Sequence, residues 1–273
     1  MKNAPKKSLG QNFLRDEVVL HKIIAASDLG SEDFVIEIGP GEGVLTEQLA
    51  KHTKKVVAIE LDGDLMPQLT EKFATQKNVE FIHADILNIN LPALIENHIK
   101  NVETRHCLVS TPVNYKLIAN IPYYITSPII RLFLEQENQP KKILLMIQKE
   151  VAERIVASKG QMSILSISVQ YYGMAEILFR VNKEAFFPVP KVDSAVIKIT
   201  PNRKFNKELD KKFFRLVKAG FSAKRKTLAN NLANSLQLDK DLVSEKLKAL
   251  SLNENARAQE LDIADWQRLA EIF

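Results

Sequence analysis

The chain has 273 residues, of which 45% are hydrophobic and 26% charged, with a formal net charge of +5. That balance suits one large domain plus a small one and excludes a disordered chain, and no apolar run is long enough to span a membrane. Cys107 is the only cysteine, so an intrachain disulfide and a cysteine-cluster metal site are excluded. The N-terminus, MKNAPKKSLGQNFL, is basic and lacks an apolar signal core, so a reducing cytoplasm is the expected compartment.

Residues 16–26 have helical spacing, with Val19, Ile23 and Ile24 on one side. FVIEIG (34–39) reads as a buried strand, followed by a glycine-rich turn and a helix over 44–52. The unit repeats as a strand at 55–60, a helix at 64–74 with Pro67 in its first turn, and a strand at 79–85. After a longer connection come a strand at 116–121, a helix at 128–136 opened by Pro128, and a strand at 142–148. Helical segments follow near 149–157 and 163–172. The strands expected at 175–182 and 194–200 have no helix between them and are read as an antiparallel pair at the sheet edge. Past Pro201 the pattern holds helices only, at 207–219, 224–236, 239–250 and 262–272. The alternation predicts an α/β fold over 1–201, a parallel sheet with helices on both faces, and a small all-helical domain over 202–273.

Charge is concentrated in one place. Residues 202–226 hold ten Lys or Arg against Glu208 and Asp210, a local excess of +8 that leaves −3 for the other 248 residues. Lys207, Lys211, Arg215 and Lys218 share one helix face by their spacing, with Leu209, Phe213, Leu216 and Val217 opposite, and SAKRK (222–226) adds a cluster where a helix is expected to start. A lone charge run is more often a solvated helix face; a concentrated excess is also the footprint of a nucleic-acid contact.

The turn after the first strand reads Glu37-Ile38-Gly39-Pro40-Gly41-Glu42-Gly43. Glycines allow a tight turn and close approach of a ligand, and open parallel sheets bind ligands beyond the C-terminal ends of their strands. A dinucleotide fingerprint needs a third glycine where Val44 stands, and no Lys-Ser/Thr follows to make a P-loop. Glu60 and Asp85 end the second and third strands, and with Glu37 these acids would repel phosphates. They suit a phosphate-free cofactor with a positive centre, S-adenosylmethionine. Glu60 is placed to accept the ribose hydroxyls and Asp85 the adenine amine. Each acid alone reads more readily as a surface or helix-capping carboxylate; three in order at strand ends do not.

The fourth strand ends in Asn120-Ile121-Pro122-Tyr123, on the same edge. An adenine N6 amine is a poor nucleophile until both N–H bonds are held by acceptors and its lone pair faces the methyl carbon. The Asn120 side-chain oxygen and the Ile121 carbonyl supply such acceptors, Pro122 fixes the chain direction, and Tyr123 offers a face on which an extruded base stacks. Tyr124 is expected to be packing.

With these residues in place, the chain resembles the rRNA adenine N6-methyltransferases, in particular the bacterial branch acting on small-subunit rRNA. The resemblance rests on KKSLGQNFL (6–14), IEIGPGEGVLT (36–46), VVAIELD (56–62), HAD (83–85), ANIPYYITSPI (119–129), FFPVPKVDSAV (186–196) and FSAKRKTLANNL (221–232). It implies a Rossmann-like methyltransferase sheet and dimethylation of two adjacent adenosines near the 3′ end of small-subunit rRNA, within an immature small ribosomal subunit. It adds Asn12 and Leu14 to a cofactor site with Gly39, Gly41, Glu60, Asp85 and Asn120, and makes Phe187, or its neighbour Phe186, a second wall for the target base. It also turns Lys211, Arg215, Lys224, Arg225 and Lys226 into expected phosphate contacts. The 35-residue separation of Asp85 and Asn120 marks residues 96–114 as an insertion. That insertion carries His98, His106 and Cys107 and is read as a surface excursion, not a metal site. A monomer without membrane contact is expected. The competing readings are a large-subunit rRNA methyltransferase, an assembly factor acting by binding, and, more distantly, a nicotinamide dehydrogenase.

Overall fold

A computed structural model of the chain describes residues 5–6, 9–97 and 114–273. His98, His106, Cys107 and most of the 96–114 excursion lie outside the described residues. Seven strands form the main sheet: β2 (Phe34–Ile38), β3 (Lys55–Glu60), β4 (Val79–His83), β5 (Tyr115–Asn120), β6 (Lys142–Gln148), β7 (Gly173–Val181) and β9 (Ser194–Pro201). Their spatial order is β4-β3-β2-β5-β6-β9-β7. A second, two-stranded sheet pairs β1 (Phe13–Leu14) antiparallel with β8 (Phe186–Phe187).

The central strands are parallel because they are covered on both faces. In β2 all five residues are buried, β5 is buried except for Asn120, and β6 is buried except for its two end residues. Each fully buried Val, Ile, Leu or Phe in this layer contributes about 1.5–3 kcal/mol relative to exposure. Helices α1 (Glu17–Ser27), α2 (Val44–His52), α3 (Met66–Lys72), α4 (Leu91–Ile95) and α5 (Thr126–Leu134) accompany them. Asp16 caps α1, accepting from the N–H groups of Val18 and Val19. Pro67 lies in the first turn of α3, as the sequence predicts.

The sheet is mixed rather than wholly parallel. The strands at 173–181 and 194–201 are neighbours at one edge, but the later one lies inside: β9 runs antiparallel to β6, and β7 is outermost. Burial explains the order. Ala195, Val196, Ile197 and Ile199 are all buried, whereas most of β7 is partly exposed, as an edge strand must be.

Contacts divide the chain into two compact units, residues 1–152 with 176–201, and residues 153–175 with 202–273. The boundary expected at 201 assigns 153–175 to the sheet; these residues group instead with the C-terminal helices. The cause is a polar and aromatic knot. The hydroxyls of Tyr171 and Tyr172 each donate to the buried Asp210 carboxylate at 2.9 Å, and the Tyr171 ring stacks on Phe213 at 3.9 Å.

The second unit holds α6 (Lys149–Ile155, beginning before it), α7 (Ile164–Gln170), α8 (Lys207–Gly220), α9 (Leu228–Leu236), α10 (Lys240–Ala249) and α11 (Ile263–Ile272). Two expectations are corrected. The helix read from 224 starts at Leu228, capped by the Thr227 side chain, so Lys224–Lys226 sit in the preceding turn. Leu209, assigned to the apolar side of α8, is 56% exposed, because it falls in the first turn beyond the reach of the helices that bury Phe213, Leu216 and Val217. Among the described residues no helix is long and apolar enough to cross a membrane.

Gly220, near the end of α8, is where that helix meets Trp266 of α11. A Cβ there would overlap the indole ring and come within 2.9 Å of Leu228. Gly220→Ala, which ought to favour a helix, should therefore destabilise the protein by about 1–3 kcal/mol through overpacking, read as a lower denaturation midpoint with an unchanged slope.

Candidate active site

Strand order alone locates the site. From β2 the chain winds outward through β3 to β4, then crosses back to β5 on the other side of β2, so the topological switch lies between the C-terminal ends of β2 and β5. The glycine turn leaves β2 there and Asn120 ends β5. A Cβ on Gly39 would sit 3.9 Å from the Asn120 carbonyl oxygen. Gly41 has φ +59°, and a Cβ there would meet the Phe13 ring at 2.9 Å, so the turn demands glycine for both conformation and space.

One cavity opens at this edge. Its walls include Asn12, Leu14, Glu37, Gly39, Gly41, Glu60, Asp85, Asn120, Ile121, Pro122 and Tyr123. Eleven residues singled out from scattered sequence segments thus share one cavity, and no lysine or arginine lines it among the described residues. No side-chain cation lines it to offset a phosphate, and its glycine cradle with the Glu60 and Asp85 carboxylates fits a cationic, phosphate-free group such as S-adenosylmethionine.

The acids are less alike than the sequence suggests. Glu37 is 1% exposed, its Oε2 has no hydrogen-bond partner, and burial, moderated by the Thr46 hydroxyl and reinforced by Glu60, pushes its pKa to about 8. The expectation that Glu37 adds negative charge against phosphates is therefore corrected: at neutral pH it is largely protonated. Glu60 is 5% exposed; its Oε2 accepts from Gly41 N–H at 3.1 Å and its Oε1 from Asp62 N–H at 2.8 Å. Burial outweighs these bonds, and its pKa is also raised. Asp85 caps its own turn, accepting from Leu87 N–H at 3.0 Å and from Asn88 Nδ2 at 2.9 Å. Each of these carboxylate oxygens retains a lone pair for a ligand.

The N-terminal segment, which only the family resemblance puts at the site, is held there by identifiable contacts. Asn120 Nδ2 donates to the Asn12 carbonyl at 3.3 Å, which leaves Asn120 Oδ1 as the outward acceptor. Phe13 and Leu14 pair with Phe187 and Phe186, and Arg15 N–H donates to the Ala185 carbonyl. Lys6 Nζ bridges Asp62 and Asp64, and Gln11 Nε2 donates to Asp62 at 2.8 Å. Sequence reasoning gave Asp62 no role. Its only signal was its place two residues after Glu60.

The aromatic residues separate. Phe186 is buried in the core, while Phe187 is 57% exposed and stands outside the cavity wall beside Phe13. The Tyr123 hydroxyl is hydrogen-bonded to Ser194 Oγ at 2.8 Å, which fixes the ring. Tyr124, expected to be packing, is 59% exposed at the cavity rim, because the short 3₁₀ turn over Tyr123–Ile125 points successive side chains apart.

The basic residues lie in the second unit. Lys211, Arg215, Lys224, Arg225 and Lys226 are all exposed, and none has an acidic partner among the described residues. Lysines of the first unit such as Lys54, Lys55, Lys72 and Lys116 are each paired. Asp210, counted among the acids of the basic run, is buried against Tyr171 and Tyr172 and lies 4.0 Å from Arg203.

A carboxyl whose pKa is raised in the fold is bound to its proton there and releases it more readily when unfolded. Its contribution is complete below the ordinary carboxylate range and is lost as pH rises through the folded value, which for Glu37 is about 8. Glu37→Gln should accordingly flatten the fall in melting temperature between about pH 5 and pH 8. An equal slope in both proteins would refute the buried, protonated Glu37.

Residues 2–273 match the family model described as ribosomal RNA adenine dimethylase. Similar proteins include those named ribosomal RNA small subunit methyltransferase A from Ligilactobacillus salivarius, 44% identical over 97% of this chain and 89% of that one, and from Fusobacterium nucleatum, 40% identical over 98% and 97%. Among solved structures, a dimethyladenosine transferase from Plasmodium falciparum superposes with a TM-score of 0.74 at 26% identity, covering 94% of this chain and 95% of that one. The 23S rRNA methyltransferase ErmE superposes at 0.72 and 26%, covering 95% and 98%. The chain belongs to the ribosomal RNA adenine dimethylase family, whose cofactor is S-adenosylmethionine.

Proposed function

We propose that the protein dimethylates the N6 amines of two adjacent adenosines near the 3′ end of small-subunit rRNA, acting as a cytoplasmic monomer on an immature small ribosomal subunit. The observation that carries the reading is the convergence of Asn120, Glu60, Asp85 and the glycine turn on one cation-free cavity. Relatives of 40–44% identity over nearly the whole chain bear the small-subunit name.

S-adenosylmethionine, when bound, supplies a methyl group on a sulfonium that leaves as a neutral thioether. Gly39 and Gly41 admit it against the backbone. Glu60 and Asp85 hold its hydroxyl and amine donors, and the Asn12–Leu14 segment covers it. Asn120 Oδ1 and the Ile121 carbonyl accept the two N–H bonds of the target amine, turning its lone pair toward the cavity. The amide of Asn120 is held for this by its bond to the Asn12 carbonyl. Pro122 fixes the direction of the Ile121 carbonyl, and Tyr123 and Phe187 stack the extruded base. No strong base is required, since the product's proton passes to water; rate comes from alignment and preorganised acceptors.

The unit of residues 1–152 with 176–201 carries this chemistry, and the basic helices over 202–273 hold RNA. Lys211, Arg215, Lys224, Arg225 and Lys226 contact phosphates, giving affinity and orientation while RNA shape gives selectivity. The likeness to ErmE favours one alternative, a large-subunit substrate. Mass analysis of rRNA after incubation with S-adenosylmethionine and either immature small or immature large subunits decides between them. Transfer to large subunits alone refutes the proposal.

Two variants test the roles. Asn120→Ala should lower methyl transfer by about 10²-fold or more while subunit binding holds, which separates catalysis from assembly by binding. Replacing Lys224, Arg225 and Lys226 by Gln should reduce the slope of log affinity against log salt by about 2–3 without changing the cofactor-induced melting shift.

A further inference from the structure

A second cavity lies wholly within the C-terminal helices. It has a volume of about 200 Å³, below the roughly 300–1,000 Å³ of pockets that enclose drug-sized ligands. Its apolar lining is formed by Leu216 of α8, Leu236 and Leu238 at the end of α9, and Ala270 and Phe273 at the end of α11. Its rim is cationic, formed by Lys212 and Arg215. Both are exposed, and neither has an acidic partner among the described residues.

Three features distinguish this cavity from a packing gap. Leu238 is 37% exposed at its mouth, an apolar side chain that the fold leaves partly uncovered. Lys212 and Arg215 are one helical turn apart, so both cations stand over the same opening. The rim belongs to the stretch of α8 with the densest unpaired positive charge, where Asp210 is turned inward to Tyr171 and Tyr172. An occupant must therefore join a flat or compact apolar body to negative charge at its edge. A free hydrocarbon lacks the charge and a free phosphate lacks the body. A nucleotide of a single strand has both, with a base to bury and phosphates on either side.

We propose that this cavity seats one unstacked base of the bound RNA, with Lys212 and Arg215 on the flanking phosphates. The proposal rests on the reading of the basic helices as an RNA contact and makes that contact specific. The basic face positions the strand, and the cavity selects a place where a nucleotide is free to leave its stack.

The test uses the full-length protein and unmethylated small-subunit rRNA, with affinity measured across a salt series. Leu238→Gln removes the apolar mouth and Ala270→Leu fills the cavity, so a folding defect in one does not decide the matter. Each should weaken RNA binding about five- to tenfold, the scale of one lost base contact, with the salt slope unchanged. The pair Lys212→Gln and Arg215→Gln should lower the slope by about 2. Wild-type affinity in both cavity variants, with a lower slope in the charge variants, overturns the base site and leaves the basic RNA face standing. Unchanged slopes in the charge variants as well overturn both. Poly-glutamate offers charge without a base; if its binding falls on Leu238→Gln as far as that of RNA, the cavity belongs to an acidic protein partner and the proposal fails.

Discussion

The Glu60 carboxylate is the point on which the site's geometry depends. Buried at the end of β3, it accepts one N–H from the glycine turn and one from the loop after its own strand. Its burial and the neighbouring Asp62 charge raise its pKa, and the backbone N–H bonds work against that shift. What the carboxylate secures is position: two loops from neighbouring strands keep a fixed separation, with a lone pair left over for a ligand.

The constraint passes outward from there. Asp62, whose N–H is held by Glu60, uses its own carboxylate to hold Lys6 and Gln11. Burial alone would raise the Asp62 carboxyl, but those partners and the Asp64 N–H bring it below the usual range. The N-terminal segment so anchored lays Phe13 against Gly41 and offers the Asn12 carbonyl to Asn120. Each strand end at the switch point is therefore tied to another through this segment, and the orientation of the Asn120 amide is a remote consequence of a carboxylate on a different strand.

The two units differ in how they spend their charges. In the first, Lys54, Lys55, Lys72 and Lys116 are each paired with an acid, which suits a framework. In the second, Lys159, Lys248 and Arg268 are paired and Arg203 lies 4.0 Å from Asp210, while Lys211, Lys212, Arg215 and Lys224–Lys226 have no acidic partner among the described residues. Surface ion pairs stabilise little, so leaving these cations free loses almost nothing in stability. It keeps them available for a polyanion, where each phosphate neutralised releases counterions.

The sequence by itself determined the elements, their order and most of the cavity wall. Strands 55–60 and 142–148 and the helix 44–52 were legible because apolar runs and helical spacing are local properties. The glycine turn, Glu60, Asp85 and Asn120 were legible because ligands in such sheets lie beyond strand ends, and strand ends can be counted along the chain. Tertiary structure decided what depends on partners distant in the chain. Asn12 reaches Asn120 through the Asp62 anchor and through β1 pairing with β8, a bridge 174 residues long in sequence between Phe13 and Phe187 that no periodicity announces. Glu37 reads as an anion until its burial makes it an acid that keeps its proton. Tyr123 and Tyr124 are adjacent and identical in type, and only the turn decides that one is fixed against Ser194 while the other faces solvent. Local pattern sets what a segment can become. Burial and pairing, which are sums over the whole fold, set which of its side chains are charged, fixed or free.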